Sequence, residues 1–140
     1  MKFIQWIFFP YIRYRQIITK TKFRKITIYE PNKEPKDDVE PYLYNDSDED
    51  IPYLTVVIPC FNEVKRLPPN FQITLDHLRK IFESKKQKFE IVLVNDGSKD
   101  ATLQMIKDYI DKYKNETNFI IRGVSLSINS GKGGALKKVN

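Results

Sequence analysis

The sequence predicts an α/β fold, β-α-β-α-β, built on a mostly parallel sheet. Short β-branched runs recur at "LTVVI", "EIVLV" and "FIIRGVSL". Two stretches with apolar residues at helical spacing separate them. Such alternation implies parallel strands joined by right-handed crossovers.

The elements follow in order. Leu54 to Ile58 reads as a buried strand ended by Pro59. The loop "FNEVKRLPPN" comes next, then "FQITLDHLRKIF", which sets Phe71, Leu75, Leu78 and Phe82 on one helix face. The polar turn "ESKKQK" leads to a second strand, Glu90 to Val94, running into Asn95-Asp96-Gly97-Ser98. In "KDATLQMIKDYIDKY" a second helix starts at a Ser98 or Asp100 cap and turns Met105, Ile106, Tyr109, Ile110 and Tyr113 inward. A third strand, "NFIIRGVSLS", is expected to be interrupted at Gly123. A glycine loop and a helix start at about Gly134 close the chain.

With 140 residues there is room for one domain with a core. The charge is blocked. Residues 1–25 hold seven Lys or Arg and no acid; residues 26–50 hold nine acids and two lysines. This divides the chain into a basic aromatic segment (1–25), an acidic, proline-containing linker (26–52) and a domain (53–140). The apolar run Phe3 to Phe9 is far short of the ~20 residues that span a bilayer. Residues 1–25 read equally as a membrane-interface contact, or the stub of an anchor, and as a basic terminus with neither role. A single cysteine, Cys60, excludes a disulfide framework and a cysteine-rich zinc site. His77 reads as a helix-face histidine without a catalytic partner. Nothing resembles a nucleic-acid-binding signature, so no nucleic-acid partner is expected.

Ligands of open α/β sheets bind outside the carboxyl ends of the strands. Pro59, Asn62 and Glu63 fall at the first end, Asp96 and Gly97 at the second, and Gly131, Lys132, Gly133 and Gly134 at the third. A carboxylate such as Asp96 can accept hydrogen bonds from a base or a ribose, although taken alone an Asp before glycine reads first as a turn former. The glycines let backbone N–H groups approach an anion, and Lys132 adds positive charge. The P-loop pattern fails, because Gly133 follows Lys132 where Ser or Thr is needed. The dinucleotide glycine pattern fails too, because it belongs after the first strand.

Together "TVVIPCFNE", "IVLVNDGSKDAT" and "NSGKGGAL" resemble the nucleotide-binding part of an inverting, family-2 type glycosyltransferase with a GT-A (Rossmann-like) fold. "NEVKRLPP" and "GKGGA" are most similar to the dolichyl-phosphate β-glucosyltransferase branch. The resemblance covers residues 53–140. It implies glucose transfer from UDP-glucose to dolichyl phosphate for protein N-glycosylation, at the endoplasmic reticulum membrane. It implies that Pro59, Asn62 and Glu63 line a uridine pocket, that Asp96 meets the uracil, and that Gly97 and the Gly131–Gly134 loop border the nucleotide. Asn95, Phe61 and Ser130 depart from the branch's usual Asp, Tyr and basic residue.

The family's metal-binding D-x-D motif does not occur between Gly97 and Asn140. A divalent metal, Mg²⁺ or Mn²⁺, is therefore expected for the full-length family with its ligands beyond residue 140, and no catalytic residue is expected in this chain. The expectation is a UDP-binding half, with a fold truncated after the third strand and no turnover alone. Two alternatives stay open: a non-catalytic nucleotide-binding remnant, and a related mannosyl- or other sugar transferase.

Overall fold

The computed structural model describes residues 9–10, 26–37, 52–129 and 131. Its elements are β1 (Phe9–Pro10), β2 (Ile26–Tyr29), β3 (Lys36–Asp37), β4 (Leu54–Cys60), α1 (Leu67–Phe82), β5 (Phe89–Asp96), α2 (Thr102–Lys112) and β6 (Phe119–Leu126). They make a six-stranded sheet in the order β1-β4-β5-β6-β2-β3. The predicted β-α-β-α-β unit is its centre: β4, β5 and β6 run parallel and side by side. The flanking strands pair antiparallel.

The parallel strands share one register, which sorts side chains into rows. Val56, Ile91 and Ile121 face the helices in one row, and Leu54, Phe89 and Phe119 in another. Against these rows α1 packs Leu67, Phe71, Leu75, Leu78 and Phe82, and α2 packs Ile106 and Ile110. Aromatic rings close the core at the amino ends of the strands. Phe89 stacks on Phe119 at 5.1 Å between centroids, with Phe82 and Tyr113 beside them.

Three strand and helix expectations need correction. The first strand continues through Pro59 to Cys60. Its neighbour β1 reaches only Leu54 and Thr55, so Pro59 lies where no described strand pairs on that side and a missing N–H is tolerated. The helix α1 begins at Leu67, not Phe71, because Pro68 and Pro69 occupy its first turn, where proline needs no amide. Gly123 does not interrupt β6. It is a notch in the row Ile58-Leu93-Gly123, and a Cβ there would meet Ile106 Cγ2 at 2.9 Å and Ile110 Cδ1 at 3.1 Å. The missing side chain lets α2 sit close to the sheet.

Part of the segment read as linker is also in the sheet. β2 pairs with β6 from Ile26↔Leu126 to Tyr29↔Gly123, and β3 folds back on β2. Residues 1–8, 11–25 and 38–51, and the helix start near Gly134, lie outside the described residues.

The second sheet face carries Val92, Val94, Val124 and Leu126 with Ile26 from β2. It also buries charge. Arg122 Nη1 lies 3.1 Å from Glu90, and Arg122 Nε lies 3.4 Å from Glu30. Thr55 Oγ1 donates to Glu90 at 3.0 Å. The side chains of Glu90, Glu30 and Arg122 are 4, 8 and 16% exposed. Two carboxylates thus share one guanidinium, and Lys33 and Lys36 add charge beside Glu30. Removing the guanidinium from such a buried set leaves part of its negative charge without compensation. Arg122→Ala is expected to lower the unfolding free energy by about 3 kcal/mol in urea titrations. A midpoint equal to that of the parent would refute this role.

Candidate functional site

Because β4, β5 and β6 pair in register through Cys60, Asn95 and Ser125, their carboxyl ends finish at one level. The loops that leave them meet there. Of the residues expected at this rim, Pro59 is the penultimate residue of β4, Asp96 ends β5, and Asn62, Glu63, Gly97 and Gly131 lie beyond strand ends. Lys132, Gly133 and Gly134 lie outside the described residues.

Asp96 is only 2% exposed, so it is buried below the rim and not on its lip. Neighbouring Asn95 turns the other way. Its Nδ2 donates to Ser125 Oγ at 2.9 Å, and its Oδ1 accepts from the Ser98 amide at 3.3 Å. Gly97 then takes a left-handed φ of +67°. A Cβ at Gly97 would stand 2.6 Å from the Asn129 backbone nitrogen, so the second and third loops touch through bare backbone. Asn129 in turn accepts from the Gly131 amide at 2.7 Å, and Gly131 has φ +71° with no atom of the described residues within 4 Å of an added Cβ.

The first loop is fastened to the second. Asn62 adopts φ 52°, a left-handed conformation that asparagine tolerates. Its amide donates to Ser98 Oγ at 3.0 Å, and its Oδ1 accepts from the Lys99 amide at 2.9 Å. The Glu63 amide donates to Thr102 Oγ1 at 2.8 Å, and the Val64 amide to Asp100 Oδ2 at 3.5 Å. Asp100 Oδ1 accepts from the Thr102 amide at 3.0 Å and hydroxyl at 2.5 Å. The Thr102 hydroxyl holds the Asp100 carboxyl below its ordinary value. The cap expected at Ser98 or Asp100 needs correction: the helix cap is Ala101, which makes no side-chain cap bond, and Asp100 forms a side-chain turn one residue earlier.

Glu63 is not an open carboxylate. Arg66 grips it bidentately, Nε to Oε2 at 2.8 Å and Nη2 to Oε1 at 2.9 Å. The Arg66 side chain is 71% exposed, so the pair faces solvent at the rim. Arg66 and Thr102 were not among the expected site residues. The i,i+3 spacing of Glu63 and Arg66 just ahead of α1 was a signal that could have found one of them. Phe61 and Ile128 stand exposed on the same rim.

Cys60 lies beneath the loop, 1% exposed, with its Sγ donating to the Ile58 carbonyl at 3.4 Å. Burial, helped by the Glu63 charge, pushes its thiol up to about 12, which makes it a packing residue and no nucleophile. Among the described residues no group of three His, Cys, Asp or Glu could hold a metal ion. A separate depression of about 390 Å³ opens between the β2–β3 turn and the far end of α2. Its cations are already engaged, with Lys33 on Glu30, Lys114 on Asp111 and Lys107 over the Tyr29 ring. It does not coincide with the strand-end crevice.

Comparison with known proteins gives a consistent set. A family profile described as "Glycosyl transferase family 2" matches residues 55–140. A dolichyl-phosphate beta-glucosyltransferase of Trichomonas vaginalis is 41% identical over 61% of this chain and 25% of its own length. Those of Dictyostelium discoideum and Homo sapiens are each 38% identical, over 61 and 60% of this chain and 26 and 25% of their own lengths. The chain thus spans about a quarter of the length of these curated relatives. No solved structure gives a significant match.

Two outcomes test the geometry. Gly97→Ala, which demands a strained φ and displaces the Asn129 backbone, is expected to cost roughly 1–3 kcal/mol in chemical denaturation. An unchanged midpoint would count against the close approach. Cys60 should resist a disulfide reagent at pH 8 in the folded chain and react once denaturant is added; rapid labelling of the native protein would contradict its burial.

Proposed function

The chain belongs to glycosyl transferase family 2, and from that premise we propose that it carries the donor-nucleotide site of a UDP-glucose:dolichyl-phosphate glucosyltransferase acting in protein N-glycosylation. The observation that carries this reading is the meeting of three strand-end loops at one rim above a buried Asp96. Uracil is a ligand of matching chemistry, since its N3–H can donate to a carboxylate at the floor. Asn62 and Glu63 then form one wall and Pro59 its base. Gly97 and Gly131 offer backbone to the nucleotide, and Lys132, Gly133 and Gly134 complete that side in this proposal. The printed names of the relatives favour dolichyl phosphate as acceptor. An acceptor of that kind argues for work at a membrane, that of the endoplasmic reticulum in this reading.

Among the described residues no helix is long and apolar enough to cross a membrane. The role of residues 1–25 as an interface contact is therefore proposed on composition alone: Trp6, Tyr11 and Tyr14 beside seven cations. Family-2 glycosyltransferases commonly use a divalent metal, and the described residues do not provide a cluster that fits one. No catalytic step is assigned through it. What this chain's residues do in the proposal is bind and orient the nucleotide. The acceptor phosphate has a second pKa of about 6, so at neutral pH it is already largely ionised and asks little of a general base.

Calorimetric titration of the 140-residue chain tests the reading. UDP and UDP-glucose are expected to bind with Kd below about 1 mM, a modest −4 kcal/mol, while GDP-mannose binds more weakly. Asp96→Asn should weaken UDP binding by about tenfold, the scale of one charged hydrogen bond. Titrations with and without Mg²⁺ separate nucleotide recognition from any metal contribution. No heat with millimolar UDP would sink the site, and preference for GDP-mannose would favour a mannosyltransferase.

A further inference from the structure

Glu63 is held at three points. Its carbonyl accepts from the amides of Arg66 at 3.0 Å and Leu67 at 2.7 Å. Its carboxylate is gripped by Arg66. Both of these contacts lie within the loop and the first turn of α1, so they would travel with the loop if it moved. The third contact is different. The Glu63 amide donates to Thr102, which belongs to α2.

Thr102 is 0% exposed. Its hydroxyl accepts from Glu63 and donates to Asp100 Oδ1. A hydroxyl that gives its proton to a carboxylate is a better acceptor, because the two bonds polarise each other. The second Asp100 oxygen faces the next amide of the same loop, that of Val64. Two successive amides of the first loop therefore end on one relay, buried at Thr102 and exposed at Asp100. The Asn62 contacts with Ser98 and Lys99 also cross between the loops, but they are exposed and water can replace them. Water cannot reach the Thr102 hydroxyl.

We infer that Thr102, backed by Asp100, is a positioning residue: it fixes where the Asn62–Val64 wall stands relative to the end of β5. The consequence for nucleotide affinity rests on the proposed function above; the fixing of the loop does not. Thr102 touches no ligand in this assignment. It acts through the Glu63 amide, and the hydroxyl, not the methyl, is what matters.

The test uses the 140-residue chain as wild type, Thr102→Val, Thr102→Ser and Asp100→Ala. Three quantities are read: hydrogen exchange at the Glu63 and Val64 amides, UDP affinity, and the urea midpoint. Thr102→Val leaves the Glu63 amide facing a methyl group. It is expected to speed exchange at Glu63 by at least about tenfold and to weaken UDP by about tenfold. Thr102→Ser, which restores the hydroxyl, should return both to within about twofold of wild type.

Wild-type exchange and affinity in Thr102→Val would overturn the inference, as would failure of Thr102→Ser to rescue. Should Thr102→Val not fold, Asp100→Ala answers in its place, because Asp100 is exposed: faster exchange at Glu63 and Val64 supports the relay, and unchanged exchange overturns it. If wild type binds no UDP, the nucleotide reading falls by itself. Exchange at Glu63 then decides the relay alone, with lost protection in Thr102→Val supporting it and retained protection overturning it.

Discussion

The structure depends on one constraint, the shared register of β4, β5 and β6. Each strand is offset so that Val56, Ile91 and Ile121 stand in line, as do Cys60, Asn95 and Ser125. A sheet pleats with period two, so one register sorts every side chain at once. Odd positions of β5 face the helices and even positions face the second cluster with its buried charges. The strands also lie in sequence order. Two right-handed crossovers in the same direction must put both helices on the same face. The division into a helix-covered apolar face and a charged one, and the common level of the three strand ends, both follow from that single alignment.

Much of this was legible in the sequence because it depends on local pattern and on topology. The β-branched runs and the spacing of Phe71, Leu75, Leu78 and Phe82 named the core, and strand-end placement then gathered Asn62, Glu63, Asp96, Gly97 and Gly131. The failures have physical reasons. Gly123 read as a break because glycine weakens strands, whereas here it makes room for Ile106. Pro59 read as a terminator because the absence of a β1 partner beside it was invisible. Pro68 and Pro69, by contrast, are themselves a legible start signal for α1. The β2–β3 hairpin was hidden by its acids and prolines, since its pairing partner lies near the other end of the chain.

Polar contacts and apolar packing divide the labour within the domain. Below the rim, Phe71, Leu75, Phe89 and Phe119 bury fully and fix the body of the fold. At the rim almost every constraint is a hydrogen bond to a backbone amide: Glu63 to Thr102, Asn62 to Ser98, Ser98 to Asn95, Gly131 to Asn129. A crevice built in this way keeps its shape without filling itself with side chains, which suits a surface left open to a polar ligand.

The hairpin's attachment also sets an order of events. Ile26 pairs with Leu126, one hundred positions later in the chain. At synthesis rates of ~5–20 residues per second, β2 emerges roughly 5–20 s before the strand it needs. The parallel unit cannot be its template until β6 has joined it. β2 and β3 are therefore made before the parallel unit and seated after it, and Glu30 reaches Arg122 only at that closing step.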